Sequence, residues 1–188
     1  MDFVPVFYAT SEGHTRQIAY TIAATLRSEG FESEPVELRA GDPSPNWTAI
    51  TTAIVGASVH VGKHQKVATA FVQREASRLS ECGASFFSVS LAAASRNPAG
   101  VDAAWSIATK FVQGAKWHPR HLACFAGKLA YTQYGFFTRW MMRRISAREG
   151  GPTDTSRDYV MTDWSAVRAF AREVASDLRS DRGHRAAS

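Results

Sequence analysis

The chain has 188 residues, 45% of them hydrophobic and 21% charged, with a formal net charge of +5 and two cysteines. That suffices for one sizeable core, falls short of two ordinary domains, and is not the composition of a disordered or disulfide-scaffolded chain. Nowhere do roughly 18 apolar residues run together, and Asp2 stands where a leader would be basic, so neither a spanning helix nor a secreted product is expected.

The first element is the apolar run Phe3 to Tyr8, read as a strand although Pro5 lies in it; a proline has no N–H to give a central strand, so a local bulge is expected there. It leads into the hydroxyl-rich turn TSEGHT, residues 10 to 15, and then into a helical pattern from near His14 that sets Ile18, Ile22 and Leu26 on one face. A turn between a strand's carboxyl end and a helix's amino end gathers unpaired N–H groups and the positive end of the helix dipole, which suits a phosphate. The turn lacks the three glycines of the dinucleotide fingerprint and the Gly-Lys-Ser/Thr of a P-loop, so Thr10, Ser11 and Thr15 with Gly13 take their place.

Further strand-like runs are Ser33 to Leu38, Ile50 to Ala57, Ser85 to Ser90 and Leu122 to Ala126. Between and after them lie helical faces: Val67, Phe71 and, less cleanly, Leu79; Val101, Trp105, Ala108 and Val112; Trp164, Val167, Phe170, Val174 and Leu178. Gly30 and Gly83 are placed as helix stops and Asp163 as a cap, while residues 180 to 188 form a polar tail expected to fray. Five strands alternating with helices predict one α/β domain over residues 1 to 179, a parallel sheet covered on both faces. Cys82 and Cys124, the latter in an apolar run, read as reduced thiols of a reducing compartment.

Ligands of such sheets gather beyond the carboxyl ends of the strands. Two more loops end there: GASVHVGKH, 56 to 64, and SLAAASRN, 90 to 97, whose small residues would let a flat ring pass. His60 and His64 sit four apart but in a glycine-containing loop with no acidic or thiol partner, so no metal is assigned. His60 remains a candidate hydrogen-bond donor or proton relay. No G-x-S-x-G occurs, and Cys124 reads as core, so nucleophilic hydrolysis is unsupported.

Residues 126 to 150 break the alternation. Tyr131, Tyr134, Phe136, Phe137 and Trp140 are interleaved with Lys128, Arg139, Arg143, Arg144 and Arg148, against the single carboxylate of Glu149, and this segment holds most of the chain's net charge. Phe137, Met141 and Ile145 make a stripe at helical spacing, but the arginines do not collect opposite it. Such a surface suits a flat apolar ligand with anionic edges, or membrane headgroups, better than core packing.

Together these features resemble the flavodoxin family and, within it, the flavodoxin-type menaquinone-linked protoporphyrinogen IX dehydrogenases. The likeness covers about Phe3 to Leu178 and includes GAS at 56 to 58, the Phe-x-Ser-Val pattern from Phe86 to Val89, the aromatic and basic insertion, GG-x-TDT at 150 to 155 and TDW at 162 to 164. It implies a sheet of strand order 2-1-3-4-5, with an insertion of about 131 to 150 after or within strand five. It also implies FMN as cofactor. Thr10, Ser11, Glu12, Gly13, His14 and Thr15 would hold its phosphate; Ser58, Val59, His60, Val61 and Gly62 would flank one edge of the ring, and Ser90, Leu91, Ala92, Ala93 and Ala94 the other. Glu12 departs from ordinary flavodoxins, whose turn has threonine, and a carboxylate beside a phosphate is unfavourable unless it points away.

The activity implied is oxidation of protoporphyrinogen IX in haem biosynthesis, with menaquinone or a related quinone as acceptor. Tyr131, Tyr134, Phe136, Phe137 or Trp140 would cover the macrocycle, and Arg139, Arg143, Arg144 or Arg148 would pair its propionates. The expected location is the cytoplasmic face of the cell membrane, peripherally bound; a homo-oligomer stays open. Three alternatives are an electron-transfer flavodoxin, against which the basic charge argues, a flavin-dependent quinone reductase, and a membrane-docking module without redox activity. Nucleic-acid binding would leave the first two loops without purpose.

Overall fold

The computed structural model describes residues 2–129, 131–133, 140, 142–144, 146–147 and 151–186. Val6–Ala9 (β1), Pro35–Glu37 (β2), Ile54–His60 (β3), Ser85–Ser90 (β5) and Leu122–Ala126 (β6) form a parallel sheet in the order β2-β1-β3-β5-β6. Lys63–His64 (β4) folds back antiparallel on β3. Helices His14–Ser28 (α1) and Trp164–Ala186 (α4) cover one face, and Lys66–Glu81 (α2) and Pro98–Gly114 (α3) the other. This is the strand order expected, the fold of the flavodoxins.

β1, Val6, Phe7, Tyr8 and Ala9, carries no charged or hydroxyl-only side chain because both its faces are buried. Val6 and Tyr8 point to the α1/α4 layer and Phe7 and Ala9 to the α2/α3 layer; Phe87 and Phe86 divide in the same way on β5. Gly56 on β3 lies under Phe87, where a Cβ would come within 1.9 Å of the ring's Cζ, so only glycine lets the two strands pack there.

Pro5 is accommodated by a change on the facing chain. Phe3 bridges Ile50, but Val6 pairs with Ile54, so one extra residue is taken up between 50 and 54. Thr51 N–H donates to the Phe3 carbonyl and Ile54 N–H to that of Pro5. The expected bulge is therefore carried by the neighbour, and the regular ladder of β1 begins only after the proline.

Three helical expectations need correction. The face of α2 runs through Ala68, Phe71, Val72, Glu75 and Leu79. Glu75 can be buried because Ser44 Oγ, Trp47 Nε1 and Arg74 Nε all donate to its carboxylate, at 2.5, 2.8 and 2.6 Å. On α3 the buried face is Ala104, Ala108 and Val112, and Trp105 is exposed, because the small alanines let the helix lie close to the sheet. The tail from residue 180 continues α4 to Ala186 instead of fraying. Arg120 pairs with Asp181, and Arg182 with Asp2 at the opposite end of the chain.

The insertion follows β6 and leaves the sheet whole. Lys128–Leu129 (β7) pairs antiparallel with Tyr159–Val160 (β8), a two-stranded base at which the segment between them begins and ends. Lys128 Nζ lies 2.7 Å from Asp158 Oδ2, and the Thr132 N–H and hydroxyl also donate to Asp158 at 2.9 and 2.8 Å. These donors hold the Asp158 carboxyl down at about 2, the Lys128 hydrogen bond contributing most.

Candidate functional site

The chain leaves β1 toward β2 on one side and β3 toward β5 on the other, so a crevice opens between the carboxyl ends of β1 and β3. Ala9 pairs with Ala57, which sets Thr10 and Ser58 level at its mouth. Gly13 caps α1 with φ +77°, in the left-handed region, and no side chain caps the helix's first N–H groups. Thr15, in that first turn, is 1% exposed and its hydroxyl has no partner; the Ser58 hydroxyl on β3 is likewise buried and unpartnered. A buried hydroxyl without a partner costs about 1–3 kcal/mol, and two of them beside uncapped amides make a site that a polar, anionic group would complete.

Other residues hold this cradle in shape. Gln65, immediately before α2, donates from Nε2 to Ser11 Oγ at 2.7 Å and ties the first loop to the β4 turn. The His14 imidazole is turned inward: Nε2 lies 2.5 Å from Thr162 Oγ1, whose hydroxyl donates to the Ala126 carbonyl at 2.6 Å. On the other side of the ring Nδ1 lies 3.2 Å from Gln17 Oε1, so the imidazole is held at both nitrogens. Burial lowers the imidazole's pKa, with Lys128 adding to the effect and a Gln17 hydrogen bond opposing it. His14 thus reaches an anion only through its backbone N–H, while its ring ties the turn to the strand that feeds the insertion. Glu12 is exposed, where water screens its charge.

The second loop is a hairpin. Ser58, Val59 and His60 belong to β3, and the turn is made by Val61 and Gly62 at φ +49° and +72°, the pair of left-handed residues that a tight hairpin requires. Val61 is 88% exposed, a β-branched residue in a conformation that strains it. His60 is exposed beside it. His64 is buried instead, its Nε2 2.9 Å from Ser88 Oγ and its ring 4.3 Å from that of Phe111; burial pushes its pKa down to about 4. The third loop is a short 3-10 turn, Ala92–Ala94, braced by the Ala93 N–H donating to Ser90 Oγ at 3.2 Å. Asn97 then caps α3 by accepting from the Ala99 N–H. Burial pushes the Cys124 thiol up to about 11, consistent with a core role.

Of the insertion residues, Tyr131 is wholly buried: its hydroxyl donates to the Pro152 carbonyl at 2.8 Å and its ring meets Tyr159 edge-on. It pins the insertion and does not offer a face to a macrocycle, because its ring packs inside the segment it belongs to. Trp140 is 49% exposed, with the Arg144 guanidinium 5.1 Å over its ring, and Arg143 is exposed. Tyr134, Phe136, Phe137, Arg139 and Arg148 lie outside the described residues, as do Met141 and Ile145 of the expected stripe. Met142 and Ser146 of the same helical stretch turn toward α3 and line a cleft against it, together with Met161. Gln65 had no signal in the sequence; Thr162 stood in the TDW motif without an evident task.

A flavodoxin-domain family model matches residues 5–156. Protoporphyrinogen IX dehydrogenase (quinone) of Escherichia coli (strain K12) is 33% identical over 171 residues, covering 90% of this chain and 93% of that protein. The protein of the same name from Leishmania major is 33% identical over 174 residues, 91% of this chain and 74% of that one. Among solved structures, a flavodoxin from the domain Archaea superposes with a TM-score of 0.52 at 11% identity, over 94% of this chain and 99% of that one, a likeness of fold.

Proposed function

The chain belongs to the flavodoxin family, and from that membership and the site just described we infer that it is an FMN-dependent protoporphyrinogen IX dehydrogenase with a quinone as electron acceptor. One observation carries the cofactor: the unpartnered hydroxyls of Thr15 and Ser58 at the switch-point crevice, beside amides that no side chain caps. These fit FMN. We assign Thr10, Ser11, the Gly13 and His14 backbone and Thr15 to its phosphate, Ser58 to Gly62 to one edge of the ring, and Ser90 to Ala94 to the other. Bound there, FMN supplies two-electron chemistry, so that three cycles take protoporphyrinogen IX to protoporphyrin IX while three quinones become quinols.

The protein's own part is positioning and charge balance. Gln65 and His14 keep the phosphate turn rigid from outside. Arg143 and Arg144 are available to pair propionates, with Trp140 beside them as an apolar face. The electron acceptor we propose is menaquinone, and the meeting place a membrane surface: no described helix is long and apolar enough to cross a membrane, but each well-placed cation attracts anionic lipid by about 1 kcal/mol.

The deciding experiment is anaerobic. FMN-loaded protein is expected to be reduced by protoporphyrinogen IX and reoxidised by a menaquinone analogue. Rapid NADPH-driven quinone reduction without porphyrinogen oxidation would instead make it a quinone reductase. Neutralising Arg139, Arg143 and Arg144 together should leave FMN binding intact while weakening vesicle association, less so at high salt; unchanged co-sedimentation would remove the membrane reading.

A further inference from the structure

Beside the third loop lies a cavity of about 340 Å³ that shares Leu91, Ala92 and Ala94 with the loop assigned to the second edge of the ring and extends from it toward the insertion. One wall is built of small residues from the loop and the first turns of α3, Ala94, Ala99, Gly100 and Ala103; the opposite wall presents Met142 and Met161 from the insertion and its root. Leu91 and Leu129 also line it. The result is a slot, narrow between a flat wall and two flexible thioethers, and thioethers pack well against aromatic rings.

Charge decides what the slot takes. Among the described residues its lining carries no ionisable side chain; Ser146 Oγ donates to the Pro152 carbonyl at 2.7 Å, Ser95 Oγ to the Asn97 carbonyl at 3.2 Å, and Asn97 Oδ1 accepts from the Ala99 N–H at 3.1 Å. A tetrapyrrole with two propionates would bring charges into a lining that cannot pair them. A quinone is flat, aromatic and neutral. The described cations lie elsewhere on the insertion, with Arg143 and Arg144 exposed on the helical stretch that turns Met142 inward.

A second hollow of about 450 Å³ continues from the first, the two sharing Ala94, Gly151 and Met161; the exposed Arg96 lines it too, and it opens past Tyr159 and the exposed Val160. Pro152, Tyr159, Val160 and Met161 give a polyprenyl tail a largely apolar way out, with the exposed Arg96 beside it. Resting on the function inferred above, we propose that the slot between the α3 amino end and Met142/Met161 is the quinone subsite, separate from the cationic surface that meets the porphyrinogen.

The test uses full-length FMN-loaded protein and two fillings of the slot, Ala103→Phe and Ala99→Phe, both at exposed helix positions. The flavin is photoreduced, so porphyrinogen is not needed, and reoxidation by menadione is compared with reoxidation by ferricyanide. Menadione affinity for the apoprotein is read separately by tryptophan quenching. Expected is a weakening of menadione binding and a slowing of its reaction by about tenfold, the effect of withdrawing on the order of 50 Å² of apolar contact, with ferricyanide unaffected. Two results would overturn the proposal: menadione unaffected in both variants, or slowed reduction by protoporphyrinogen IX with menadione unaffected, which would give the slot to the tetrapyrrole. Failure of the wild-type protein to oxidise porphyrinogen refutes the inferred function but leaves the menadione comparison decisive for the slot.

Discussion

Replacing Thr15 with valine should move the apoprotein and the FMN complex in opposite directions. The Thr15 hydroxyl is buried at 1% exposure with no partner, in the first turn of α1. Valine has nearly the same shape and a similar helix propensity, so the substitution removes a desolvated polar atom and little else. Relief of that penalty, about 1 kcal/mol at the low end of its range, should raise the apoprotein Tm by about 2–4 °C for a chain of this size. In the complex the same hydroxyl would donate to a phosphate dianion, a charge-assisted bond of about 1.5–3 kcal/mol, so FMN affinity should fall about tenfold to 150-fold. Calorimetry of the apoprotein and titration by quenching of flavin fluorescence read the two effects independently. Loss of apoprotein stability together with unchanged FMN affinity would refute the assignment, because it would mean the hydroxyl serves the fold.

Three other outcomes are expected. Gly13→Ala should cost about 1–2 kcal/mol in urea denaturation purely through its φ of +77°, since an added Cβ meets nothing within 4 Å; a cost near zero would mean the turn relaxes. Val61→Asn should stabilise the protein by about 1 kcal/mol, because asparagine tolerates the left-handed conformation that strains valine; a fall in Tm would show that the turn is not strained. The stability contributed by keeping His64 neutral should be complete above pH 6.5 and drain as pH falls toward 4, since the unfolded imidazole takes a proton there and the folded one does not. That contribution is on the order of 3 kcal/mol, and His14 adds in the same direction. His64→Phe should therefore be less stable at pH 8, where Ser88 loses its partner, yet show a flatter urea midpoint between pH 6.5 and 4.5; an unchanged slope would place the proton uptake elsewhere.

Ser85–Ser90 and Leu122–Ala126 have in the structure the bounds their apolar runs predict, and Gly30, Gly83 and Asp163 end or begin helices where they were read to. The turn between β1 and α1 was equally legible, because a strand, a helix start and a glycine between them are made by residues adjacent in the chain. Side-chain periodicity, capping and turn chemistry are local, so composition and spacing alone determine them.

What only the tertiary structure decided rests on pairs far apart. His14 and Thr162 are separated by 148 positions and Ser11 and Gln65 by 54, and neither contact leaves a pattern in either segment. Glu75 interrupts an apolar face and looks like an error in it until Ser44 and Trp47, some 30 residues earlier, supply donors. Trp105 and Tyr131 carried the opposite message, one expected inside and found exposed, the other expected at a ligand and found buried. Hydrophobicity states what a side chain gains from burial but not which neighbours are present to bury it. That depends on chain crossings the sheet imposes: the strand order that opens the crevice, and the β7/β8 base that brings Met142 and Met161 against α3.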